Sequence, residues 1–170
     1  EETAIKQVRA LELIIRDVIT EQLGGTDNVI VKLKDLFKQD VIDKWIKSAD
    51  NSGILSGTTF SELSNILLDK NIFQGIEEIF KSSNLELTKS TRDSLRYILE
   101  DIRIIRNSIA HNKKVSNIQI EALNEYYKSI STIIKNAQKT KINPDTYLDM
   151  TKLNMEEFIS TIKQDNQIIS

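Results

Sequence analysis

The stretch LEDIRIIRNSIAHNKK, Leu99 to Lys114, carries an arginine, an asparagine and the chain's single histidine at the spacing R-N-x-x-x-H. Arg106 is a permanent cation whose planar fork of donors fits a carboxylate or a phosphate. Histidine is the side-chain type that gains and loses a proton near neutral pH, so His111 is suited to proton transfer. Each residue also has a plainer reading. Arg106 can form a structural salt bridge to an acid on another helix, or bury its stem and hold its head in water. A lone histidine at a helix end is often a surface or capping residue.

The spacing sharpens the question. On a helix advancing about 100° per residue, Leu95, Ile98, Leu99, Ile105 and Ile109 fall within about 60° of Ile102. Arg106 lies about 40° from Ile102, inside this apolar arc, where an unpaired charge is costly. Asn107 and His111 are four apart and share another face. Arg106 and His111 diverge by about 140°. They converge only if the helix ends near His111 or a second chain completes the site.

The elements that must place these residues are helical. Five glycines and one proline in 170 residues leave few breakers. A first helix is expected from Glu2 to Leu23, closed by Gly24-Gly25. A second is expected from Val29 to Lys47, with an apolar face from Val31 to Ile46. SADNSGILSGTT reads as a loop. A third helix starts near Thr59 or Phe60, capped by Thr58 or Thr59, with Glu62 suited to a capping box. A fourth covers Phe73 to Lys81. The motif helix runs from about Ser90 to Ala110 or His111, with Asn112 suited to a left-handed closing position. Ser116 caps another helix reaching Gln138. Asn143 and Pro144 open a last one through Lys163. The expected fold is all-α, a single domain over 1–170. Its two long central helices, about 90–138, are antiparallel, and an extra helix covers about 144–163.

Composition removes several classes of function. With no cysteine and one histidine, a one-chain zinc site would need an unusual carboxylate-rich set. No metal or cofactor is expected. Gly24-Gly25 lacks the spacing and lysine of a phosphate loop. Ser108 near His111 has no orienting acid, so no triad forms. No apolar run reaches the roughly 18 residues of a membrane span, and no signal peptide is visible, so a cytoplasmic location is the expectation. The chain opens EETAIKQ without methionine, as an excised domain or processed chain would. The net charge of −2 is not that of a general nucleic-acid binder. Yet Lys89 to Lys114 carries seven basic and three acidic residues, so positive charge gathers around the motif.

RNSIAH, with the apolar helix LRYILEDIRIIRNSIAHN before it and IEALNEYYKSISTIIKNA after it, resembles the R-x4-6-H signature of the HEPN superfamily. The Trp45 region followed by two shorter helices resembles Swt1-type HEPN domains. The resemblance implies an antiparallel helical bundle that dimerises, with two motifs facing across a composite cleft. It further implies a metal-independent endoribonuclease of a bacterial toxin–antitoxin or anti-phage defence system. Lys113 stands where a tyrosine-modified subgroup has its tyrosine, so AMPylation of that kind is not expected.

Under this resemblance the chemistry is 2′-OH attack on phosphorus, giving a 2′,3′-cyclic phosphate and a 5′-OH. Arg106 would stabilise the charged phosphate, His111 would transfer protons and Asn107 would orient the phosphate or the facing histidine. One histidine cannot easily act as acceptor and donor in one turnover, so a homodimer is expected. Arg103, Lys113, Lys114 and Arg96 would hold flanking phosphates of RNA, whether tRNA or mRNA, though such residues also form ordinary solvated surface. Tyr126 or Tyr127 would stack on a base or pack in the core. Mutation of Arg106 or His111 to Ala is expected to abolish cleavage and spare the fold. An antitoxin or a larger defence protein is the expected context. The second reading is a non-catalytic HEPN-like dimerisation or RNA-binding module of a larger protein. A buried Arg106 paired with an acid of its own chain would favour it. A third is an unrelated helical scaffold with a chance motif.

Overall fold

The computed structural model describes residues 2–81, 91–111, 114–150, 157–158 and 160–164. Its helices are α1 (Glu2–Gln22), α2 (Thr26–Leu36), α3 (Gln39–Ser48), α4 (Phe60–Leu67), α5 (Lys70–Lys81), α6 (Thr91–Ala110), α7 (Asn117–Asn136) and α8 (Tyr147–Met150). Short 3₁₀ turns occupy Ile54–Gly57 and Pro144–Thr146, and residues 157–158 and 160–164 are helical. Among the described residues there is no strand, and no helix is long and apolar enough to cross a membrane. The fold is the expected all-α bundle.

Its axis is α1 rather than the α6–α7 pair alone. α1 packs against α4, α5, α6, α7 and α8. The apolar repeat explains this, because Ala4, Val8, Leu11, Ile15, Val18 and Ile19 are all buried. Two polar residues, Gln7 and Glu12, are buried with them, so α1 is sunk beyond its apolar stripe. Gln7 is accommodated by donating from Nε2 to Asn124 Oδ1 at 3.0 Å, which ties α1 to α7. α1 closes at Gly24 and Gly25, with φ of 93° and 100°, a region that glycine enters without steric cost.

The single helix expected over Val29 to Lys47 is instead two. Leu33 and Ile42 are both fully buried, yet nine residues apart they would face opposite sides of one helix. Burying both requires a break. Phe37 turns extended, its N–H donating to Leu33 C=O at 2.9 Å, and Lys38 is extended too. The Phe37 ring then meets Trp45 edge-on, with centroids 5.4 Å apart.

The expected capping box holds: Thr59 Oγ1 accepts from Glu62 N–H at 3.1 Å, and Thr59 N–H donates to Glu62 at 2.9 Å. Ser116 caps α7 in the same way through Gln119, although α7 ends at Asn136, short of Gln138. α5 starts at Lys70, one turn before the expected Phe73. Asn143 and Pro144 open a 3₁₀ turn rather than an α-helix, with Asn143 Oδ1 accepting from Asp145 N–H at 3.1 Å. The position foreseen for Asn112 lies outside the described residues.

Candidate functional site

α6 presents to the core the residues its periodicity requires: Leu95, Leu99, Ile102, Ile105, Ile109 and Ala110. Arg106 is among them, with 2 % of its surface exposed. Its Nη2 lies 2.7 Å from Oε1 of Glu12 on α1, itself 3 % exposed. The other oxygen of Glu12 accepts from Arg9 Nη1 at 3.0 Å. The Arg106 guanidinium also lies 5.5 Å from the ring centre of Phe60 and 5.8 Å from that of Phe158. Both distances suit cation–π attraction.

Glu12 is the residue the sequence reading missed. A signal was present: it lies four residues after Val8 and three before Ile15, on the buried face of α1. It is the acidic counterpart of the anomaly at Arg106. Burial pushes the Glu12 carboxyl up, but the positive charges of Arg106, Arg16 and Arg9, with the Arg9 hydrogen bond, outweigh it. The net direction is below the ordinary 4.5, so the pair holds its charges.

His111 stands at the opposite extreme. It is exposed just beyond the last residue of α6. Its N–H still donates to Asn107 C=O at 3.1 Å, so the helical hydrogen-bond pattern reaches this amide. Asn107 is half-buried. Tyr97 and Ile104 precede His111 at intervals of seven, and they are 70 % and 44 % exposed. The three therefore form one outward stripe down α6, with Ile118, 79 % exposed, at the start of α7. Within one chain, Arg106 is committed to the interior and His111 to the surface.

The expected flanking cations are distributed unevenly. Arg103 is bound in a fork to Glu100, with Nη2–Oε1 2.6 Å and Nε–Oε2 3.0 Å. Those hydrogen bonds lower the Glu100 carboxyl and raise Arg103. Arg96 is exposed and lines a groove between α4 and α6 with Ser61, Ser64 and Asn65. Lys114 is exposed, and Lys113 lies outside the described residues. Tyr126 and Tyr127 both pack against the core. The Tyr126 hydroxyl donates to Asp101, and burial together with that bond raises it.

Burial of Arg106 also corrects one expectation. Arg106→Ala is expected to cost stability rather than spare the fold, because it removes the closest partner of a buried carboxylate. His111→Ala is the variant that leaves the interior untouched.

A family model described as STY4199-like HEPN matches residues 1–144. No curated protein and no solved structure matches the chain. The match spans every helix from α1 to α7, the buried Glu12 and the R-N-x-x-x-H motif alike, and on it the chain belongs to the STY4199-like HEPN family.

Proposed function

We propose that this chain is a metal-independent endoribonuclease of HEPN type, serving a bacterial toxin–antitoxin or anti-phage defence system, with its site completed by a second copy. The observation that carries this reading is the stripe of Tyr97, Ile104 and His111. His111 shares an exposed face with two large side chains that a partner would cover. A two-fold axis passing close to His111 would supply two histidines to one phosphate.

The reaction then balances. A neutral His111 takes the proton from the ribose 2′-OH as that oxygen attacks phosphorus. The protonated His111 of the other copy gives its proton to the departing 5′-oxygen. Asn107, one turn before His111, orients the phosphate in this reading. Arg96 and Lys114 supply exposed positive charge for flanking phosphates, and Arg103 joins them by exchanging Glu100 for a phosphate oxygen.

A specific observation favours the second reading, a non-catalytic dimerisation or RNA-binding module. Arg106 is buried and paired with Glu12 of its own chain. There Arg106 holds α6 to α1. The two readings separate in one experiment. Wild type and His111→Ala are incubated with total RNA and with tRNA in EDTA. Cleavage by wild type, ending in 2′,3′-cyclic phosphate and lost in His111→Ala, supports the nuclease. RNA binding without cleavage supports the module, and equal cleavage by both proteins refutes the role of His111.

A further inference from the structure

Three described residues after α7 make ordered contacts with the bundle. Lys141 N–H donates to Glu21 at 3.0 Å, near the end of α1. Tyr147 then donates from its hydroxyl to Asp17 at 2.5 Å, one turn earlier on α1. Phe158 reaches Arg106, which is paired with Glu12, more than one further turn back. Lys141, Tyr147 and Phe158 thus meet progressively earlier parts of α1 and its buried ion pair. Phe158 and Ile162, four apart on one helical face, are 1 % and 0 % exposed, while Glu157, Ser160 and Lys163 face water. Phe158 forms one wall around the Arg106 guanidinium, and Phe60 forms another. The two walls differ in origin. Phe60 belongs to α4, inside the bundle and inside the family match, whereas Phe158 lies beyond the matched residues.

We propose that the helical residues 157–158 and 160–164 are a releasable cover that shuts the Glu12–Arg106 pair away from anionic ligands. A buried guanidinium packed against two rings and a carboxylate cannot meet a phosphate. Withdrawing Phe158 opens one side of it without unpacking α1, α4 or α6. Arg106 can then exchange Glu12 for a phosphate oxygen, while Arg9 keeps Glu12 paired. Its consequence for RNA cleavage rests on the nuclease reading above; the cover itself does not.

The test uses the full chain, with Phe158→Ala and Ile162→Ala. Arginine labelling by phenylglyoxal is read peptide by peptide by mass spectrometry, with exposed Arg96 as the internal standard. The single tryptophan, Trp45, is buried on α3 outside this contact, so its emission reports general unfolding. Labelling of Arg106 should rise about tenfold or more in both variants, with Arg96 labelling and Trp45 emission unchanged. Unchanged labelling of Arg106 overturns the cover. If Phe158→Ala shifts the tryptophan emission, Phe158→Leu replaces it and is judged by the same labelling ratio. RNA cleavage is measured on the same samples. A rise in labelling without any cleavage keeps the cover and refutes the nuclease reading.

Discussion

Breaking the Glu12–Arg106 pair should cost far more than an ordinary surface mutation. Both groups are almost wholly out of water, and their closest approach is 2.7 Å. Arg106→Ala leaves Glu12 charged and buried, with the Arg9 hydrogen bond and the charge of Arg16 still beside it. Removing one partner of a buried pair costs about 3–5 kcal/mol. The retained Arg9 contact points to the lower end, about 3 kcal/mol, and loss of the contacts with Phe60 and Phe158 adds about 1 kcal/mol. For a chain of this size each kcal/mol moves the midpoint by about 2–4 °C, so Tm should fall by about 10 °C. Thermal unfolding followed by circular dichroism measures this. The double variant Glu12→Leu/Arg106→Met should recover most of the loss, because apolar side chains of similar size replace a buried pair at little cost. The pH dependence follows from the lowered Glu12 carboxyl. Its contribution is fully present above the ordinary 4.5 and is lost as pH falls through the depressed folded value. The gap between wild type and Arg106→Ala should therefore narrow in acid. A Tm within about 2 °C of wild type at neutral pH, or two single losses that simply add in the double variant, would refute the reasoning.

Three further outcomes are expected. His111→Ala should melt within about 0.5 kcal/mol of wild type, since an exposed helix-end residue holds little of the fold together; a large Tm loss in the same melting assay would count against its surface placement. Arg96→Ala should weaken RNA binding and reduce the slope of log affinity against log salt by about 0.7, the effect of one lost phosphate contact to a single strand, as read by fluorescence anisotropy across a salt series. An unchanged slope removes Arg96 from the interface. Gly57→Ala should be strongly destabilising, because its Cβ would come within 2.0 Å of the Trp45 carbonyl oxygen, a backbone atom that cannot swing aside; the far-ultraviolet melt should show a clear drop, and a neutral result would mean that this turn relaxes readily.

Local pattern made the helices and the anomaly legible. The apolar period of α6, the capping residues Thr59 and Ser116, and the glycines that stop α1 are properties of neighbours in sequence. They determined the all-α class, the place of the R-N-x-x-x-H set and the certainty that a buried Arg106 must meet an anion. The break at Phe37–Lys38 was not local. It follows from Leu33 and Ile42 both being drawn into one core, which a helical period read by itself cannot reveal. The identity of the anion was not local either. Glu12 lies near the other end of the chain, and only the packing of α6 against α1 brings the two charges to 2.7 Å. The same packing separated the motif's members, turning Arg106 inward under Phe60 and Phe158 and leaving His111 in water. The sequence determined which side chains must be paired or exposed, because burial follows periodicity. The tertiary structure decided the partner, because a charge in a dry interior is satisfied by whatever distant residue the fold delivers to it.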